Sequence, residues 1–237
     1  MSVLIQRLSA LDPAPPWGIF SALNTVLVAL VAIIAGSFIA LTIVGETAYT
    51  AIVASTIGLL LATGFVLVSR REPAEREALR LGDTDSRLFL VFLFALGMAI
   101  LIDFIAVSAS GLFLPVPELT GLLQRDPGIV GWLLAASFML VVQPTGEELV
   151  FRGVFFPAAR HALGAWGGLL ICALVYALFH YIAYAAPDTN IIYALVSPLL
   201  AGLVLSGVRA YTGSTRAAIL AHMAFGLFAL LKLLFLL

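Results

Sequence analysis

The sequence predicts an all-α fold, a polytopic membrane helix bundle of about seven transmembrane helices. Three observations carry this. Hydrophobic residues make up 62% of the 237 positions and charged residues only 11%, against about 25% charged in soluble domains. The mean hydropathy is +1.14. Apolar runs of the roughly 20 residues needed to cross a bilayer recur along the whole chain.

The spans can be taken in order. Residues 1–16 form a mildly amphipathic lead that stops at Asp12-Pro13-Ala14-Pro15-Pro16. The apolar run from about 17 to 44 is too long for a signal h-region and lacks a basic n-region directly before it, so it reads as a first transmembrane helix. Further spans are expected at about 48–69, 88–114, 129–156, 166–186, 191–208 and 216–237. The chain therefore divides into the lead (1–16), three N-terminal helices (17–128) with a basic loop at 69–87, and a core of four helices (129–237). Within that loop, Arg71 to Arg80 mixes both signs and reads as a short interfacial helix.

Arginine placement sets the orientation, because cytoplasmic loops are enriched in Lys and Arg. The loop holds Arg70, Arg71, Arg76, Arg80 and Arg87. If it is cytoplasmic, seven alternating spans also put Arg7, Arg160, Arg209 and Arg216 inside, and leave Arg125 and Lys232 outside. The N-terminus is then cytoplasmic and the C-terminus outside. A net charge of −1, with no basic patch beyond this loop, gives no footing for a nucleic-acid partner. The single cysteine, Cys172, lies in an apolar run and reads as packing.

The chemistry concentrates in Glu147-Glu148-Leu149-Val150-Phe151-Arg152-Gly153. Ionisable groups at membrane depth cost several kcal/mol each and are functional by default. Pro144, three residues earlier, removes a helix bond and can kink the helix, leaving a carbonyl free. Glu148 and Arg152 are four apart on one helix face and can pair. Glu147 is rotated by about 100°, which leaves it available as a base. The bland alternative is one buried charge network that only fixes helix packing.

Tyr176, His180 and Tyr184 share a face of the fifth span at four-residue spacing. In the last span, His222 follows the Thr212-Gly213-Ser214 turn by about two turns, roughly 10 Å deep by helix rise. His161 reads as surface. Asp103, in the third span, shows no partner nearby in sequence. Two glutamates and two histidines on membrane helices point to activation of water. Glu147 would take the proton from a water that His180 also holds, and His222 would donate to the oxyanion formed at an attacked carbonyl. Gly202, Ser206 and Gly207 of the sixth span are small enough to leave room for that water. Zinc is the competing reading, with Glu147, His180 and His222 as ligands, although no His-Glu-x-x-His pair occurs.

These motifs, in order and in helical context, resemble those of the CAAX protease and bacteriocin-processing (CPBP, or Abi) family of intramembrane endopeptidases, which includes the type II CAAX prenyl endopeptidases. Pro144 to Gly153 looks like the family's first motif, Tyr176-x-x-x-His180 its second, and Thr212-Gly213-Ser214 with Ile219-Leu220-Ala221-His222 its third. The resemblance covers about residues 129–230. It implies that Glu147 with His180 activates the water, that Glu148 and Arg152 support them, and that His222 helps form the oxyanion site. It implies a peptide bond in a membrane-associated protein or peptide as substrate, either a CAAX-type C-terminus or a leader, and the lipid bilayer as the setting. Family members are often labelled metalloproteases, and a glutamate-based, metal-free mechanism has also been described. The residues here favour the second, with no cofactor. The plain expectation for location is a multi-pass protein of a prokaryotic cell membrane.

The chain departs from the pattern at Gly226, where the family often has an asparagine four residues after the last histidine. Losing one oxyanion donor costs roughly 10²–10³ in rate. Two other functions compete: a non-catalytic membrane immunity or scaffold protein that keeps the charges for packing, and an ion-coupled transporter using Glu and His as a relay. No inverted repeat supports the transporter.

Overall fold

The computed structural model describes residues 3–82, 87–124, 128–186 and 188–237. Among the described residues all regular structure is helical. A short α1 (Val3–Ser9) precedes the long α2 (Ile19–Val44) and α3 (Thr50–Ser69). These two form an antiparallel pair whose backbones approach at Gly36, Ala54 and Gly58, small residues of the kind that pack membrane helices. The mixed-sign stretch contains the expected short helix, α4 (Pro73–Ala78), with the Glu75 carboxylate accepting from the Glu72 N–H at 3.3 Å. Next come α5 (Leu88–Ser110) and a 3-10 helix (Pro117–Gln124). Part of the loop, 83–86, and Arg125 lie outside the described residues.

The motif-bearing helix is assembled from alternating turns. It starts as α6 (Gly128–Ser137), widens to a π turn at Phe138–Val142, tightens to α7 (Gln143–Glu148), widens again at Leu149–Phe155 and enters α8 (Phe156–Tyr184). A third π turn, Ile192–Val196, leads into α9 (Ser197–Thr212), and α10 (Thr215–Leu236) closes the chain. Each π turn ends two residues before a proline: Pro144, Pro157 and Pro198. A proline ring collides with the carbonyl four residues back. The wider turn moves that carbonyl aside, and the next N–H bonds five residues back instead, Gln143 to Phe138 and Phe156 to Phe151. Pro144 is therefore accommodated by a π turn, and the helical path runs on through the glutamates.

Among the described residues, six helices are long and apolar enough to cross a membrane. One of them, Gly128–Tyr184, runs 57 residues, or about 86 Å at 1.5 Å per residue, far beyond a bilayer core of about 30 Å. It is not one rod. Gly164 sits at φ 76°, ψ 172°, a conformation that glycine alone adopts cheaply, and the chain reverses there. Phe151 faces Tyr176 and Glu147 faces His180 across the two legs, the pairing of an antiparallel hairpin centred on Gly164. Counted as two legs, the helices supply the seven crossings.

Contacts sort the chain into two ends. At one, Trp17 Nε1 donates to the Val154 carbonyl, Arg70 to Ser21 Oγ, Arg160 to the carbonyls of Leu8 and Ala10, and Arg209 pairs with Asp12 at 2.8 Å. The N-terminal lead is thus strapped to the bundle by arginines. At the other end, Tyr193 Oη donates to the Leu112 carbonyl, and Lys232 lies over the Phe113 and Tyr193 rings.

Candidate active site

Glu147 and Glu148 are both fully buried, yet they face different helices, as the rotation between neighbours requires. Glu147 Oε2 lies 3.0 Å from His180 Nε2. Its Oε1 accepts from Tyr184 Oη at 2.8 Å and from Gln143 Nε2 at 3.2 Å. The four-residue spacing of Tyr176, His180 and Tyr184 explains this: Tyr184 closes the carboxylate from one side, while the Tyr176 ring lies tilted against His180 with centroids 4.4 Å apart.

Glu148 Oε1 takes the Arg152 guanidinium at 3.1 Å and His222 Nδ1 at 2.9 Å. The guanidinium also donates to the Gly202 carbonyl at 2.9 Å and lies over the Tyr176 ring. Arg152 therefore ties the motif helix to α8 and α9, and His222 ties it to α10. With Nδ1 donating to Glu148, Nε2 of His222 accepts in the neutral ring and donates only in the imidazolium.

Sequence reasoning missed two members of the site. Glu118, from the 3-10 helix, places Oε1 at 3.3 Å from His180 Nδ1 and accepts from Gln143 Nε2 at 3.0 Å. Both ring nitrogens of His180 thus face carboxylates, which fixes the ring's orientation. Gln143 bridges Glu118 and Glu147, and its position four residues before Glu147 was a legible signal.

A cavity of about 120 Å³ adjoins His180, His222, Glu118 and Gln143, room for a few waters at about 30 Å³ each. One buried acceptor on its wall, Gln143 Oε1, has no hydrogen-bond partner among the described residues; such groups characteristically bind ordered water. The sixth-span wall is Ser197, Pro198 and Ala201. The small residues expected to open the space are elsewhere: Gly202 packs on Ala173 and Tyr176, Ser206 is fully buried, and Gly207 lines a separate cavity at the arginine-bearing end. Small size signals close packing as readily as empty space.

The remaining residues also find places. Asp103 pairs with Lys232 of α10 on the cavity wall, a partner far away in sequence. Cys172 is buried against the Phe151 carbonyl, and His161 is exposed. Asn190 uses Oδ1 to accept from the Ile192 N–H at the start of α9's leading turn. At Gly226, a Cβ would run into the carbonyl oxygen of Met139. The π turn Phe138–Val142 and α10 meet backbone to backbone there, so the asparagine position is closed by packing.

The zinc reading needs Glu147, His180 and His222 on one ion. The two histidines instead engage different glutamates, and no group of three His, Cys, Asp or Glu among the described residues is arranged to hold a metal.

Fold and site together define a multi-pass helical membrane protein with a buried glutamate–histidine centre beside a cavity. Residues 129–228 match the family model described as type II CAAX prenyl endopeptidase, Rce1-like, which bears out the resemblance read from the motifs and supports protease activity. No curated protein and no solved structure matches the chain.

Proposed function

We propose that this chain is an intramembrane endopeptidase that hydrolyses a peptide bond in a membrane-associated protein or peptide, using a water activated by Glu147 and His180. The observation that carries this is the 3.0 Å pair of Glu147 Oε2 and His180 Nε2, with His180 on the wall of the cavity. Water entering from the cavity meets His180 first. It reaches Glu147 most readily by replacing the Gln143 bond, at 3.2 Å the longest of the three that hold the carboxylate.

Glu147 then accepts the water proton as the oxygen attacks the carbonyl carbon, and returns it to the leaving amine when the C–N bond breaks. As an imidazolium, His222 donates from Nε2 to the oxyanion while Nδ1–H is held by Glu148, the role of a fixed side-chain donor in an oxyanion site. Arg152 neutralises Glu148, so the second carboxylate supports the first without competing for the proton. No step uses a metal. The immunity or scaffold reading draws on the three donors around Glu147, and the cavity with the unpartnered Gln143 Oε1 on its wall weighs against it.

The test is cleavage of membrane-anchored reporters carrying CAAX-type C-termini or leader sequences, by purified protein in proteoliposomes. Cleavage that disappears in Glu147→Ala and survives strong chelation is the expected result. Loss on chelation with recovery on zinc would replace the glutamate mechanism with a metal one. An Ala variant that still cleaves would remove Glu147 from the reaction.

A further inference from the structure

The cavity and the arginines lie at opposite ends of the bundle. Toward the arginine-bearing end, the site is closed by a solid floor. Phe151, Arg152, Leu205, Arg209 and Thr215 are all fully buried, and Thr215 Oγ1 bonds both Arg209 and the Arg152 carbonyl. Toward the other end, the walls are Val116 to Glu118, Tyr193, Phe225 and Lys232. These belong to the segments that meet where Tyr193 bonds Leu112. Glu118 reaches His180 from that side. The cavity therefore lies on the side of the glutamates away from the arginines, and the floor closes the arginine side.

Of the twelve basic residues, nine lie at the floor end in short segments flanking spans, the arginines at 7, 70, 71, 76, 80, 87, 160, 209 and 216. Such segments are retained in the cytoplasm. We infer that the catalytic cavity opens on the non-cytoplasmic side, and that the substrate is an exported or membrane-anchored polypeptide whose scissile segment lies there, not a C-terminal tail presented from the cytoplasm. The substrate half of this inference rests on the protease reading above; the sidedness does not. The open side departs from what a cytoplasmic CAAX-type tail would need.

The experiment keeps the two apart. Single cysteines are introduced into the full chain at Ala74 of α4, at Ala186 in the loop after α8, and at Ser197 on the cavity wall. The buried native Cys172 serves as background. Intact cells are treated with a small membrane-impermeant thiol reagent, then permeabilised and treated again. Ala186→Cys and Ser197→Cys should react in intact cells and Ala74→Cys only after permeabilisation. Ala74→Cys reacting in intact cells, with the other two protected, would overturn the inference, whatever the chain cleaves. A pair of reporters with one cleavable sequence on either side of a single-span anchor then tests the substrate. Cutting of the outer copy alone, abolished in Glu147→Gln, is the expected result, and cutting of the cytoplasmic copy alone would refute it.

Discussion

Glu147 and Glu148 are neighbours in sequence and belong to two different half-sites. Around Glu147 the partners are His180, Tyr184 and Gln143, none with a permanent charge, and His180 and Gln143 border the cavity. Around Glu148 the first partner is a guanidinium, fully buried with it, and the second is His222, which the carboxylate orients toward the cavity. A single residue step along one helix separates a carboxylate placed for proton transfer from one placed for architecture. Buried charge that holds helices together needs a fixed counter-charge, whereas a general base also needs a route to water.

The largest expected effect breaks the first half-site. Glu147→Gln keeps shape and removes the base, so the turnover rate should fall by about 10²–10⁴ with the unfolding midpoint in detergent little changed. Next comes the second half-site. Arg152→Leu leaves the Glu148 carboxylate buried without its counter-charge and should destabilise the protein by about 3–5 kcal/mol, read from the denaturation midpoint. Equal stability in the two variants would erase the proposed division.

Tyr184→Phe removes one donor to Glu147 and should shift the cleavage rate by the equivalent of about 1.5–3 kcal/mol, the range for a hydrogen bond to a charged group, without a change in fold. Smallest is Gly226→Ala, where the added Cβ presses on the Met139 carbonyl. Overpacking there should cost about 1–3 kcal/mol of stability, and Gly226→Asn should likewise lose stability without gaining activity.

Most of the core was legible because its signals are local. The Glu148–Arg152 pair follows from four-residue spacing, the Tyr176–His180–Tyr184 face from the same period, and the spans from run length. What escaped is non-local. Glu118 sits in the connection after α5, with nothing in its neighbourhood to tie it to His180. Asp103 and Lys232 were both visible as charges in apolar helices, and only the packing of α5 on α10 makes them a pair. The reason for Gly226 lies in the Met139 carbonyl of another helix, itself displaced by a π turn that Pro144 requires. Run length also could not show that α6 to α8 is one continuous helical path reversed at Gly164.

The most direct measurement is a paired one: cleavage rate and unfolding midpoint of Glu147→Gln and Glu148→Gln, in one preparation and with one reporter. We expect Glu147→Gln to lose cleavage and keep its midpoint, and Glu148→Gln to lose stability through the stranded Arg152. A Glu148→Gln protein that stays fully stable and loses all cleavage, beside a Glu147→Gln protein that still cleaves, would reverse the roles and contradict the reading.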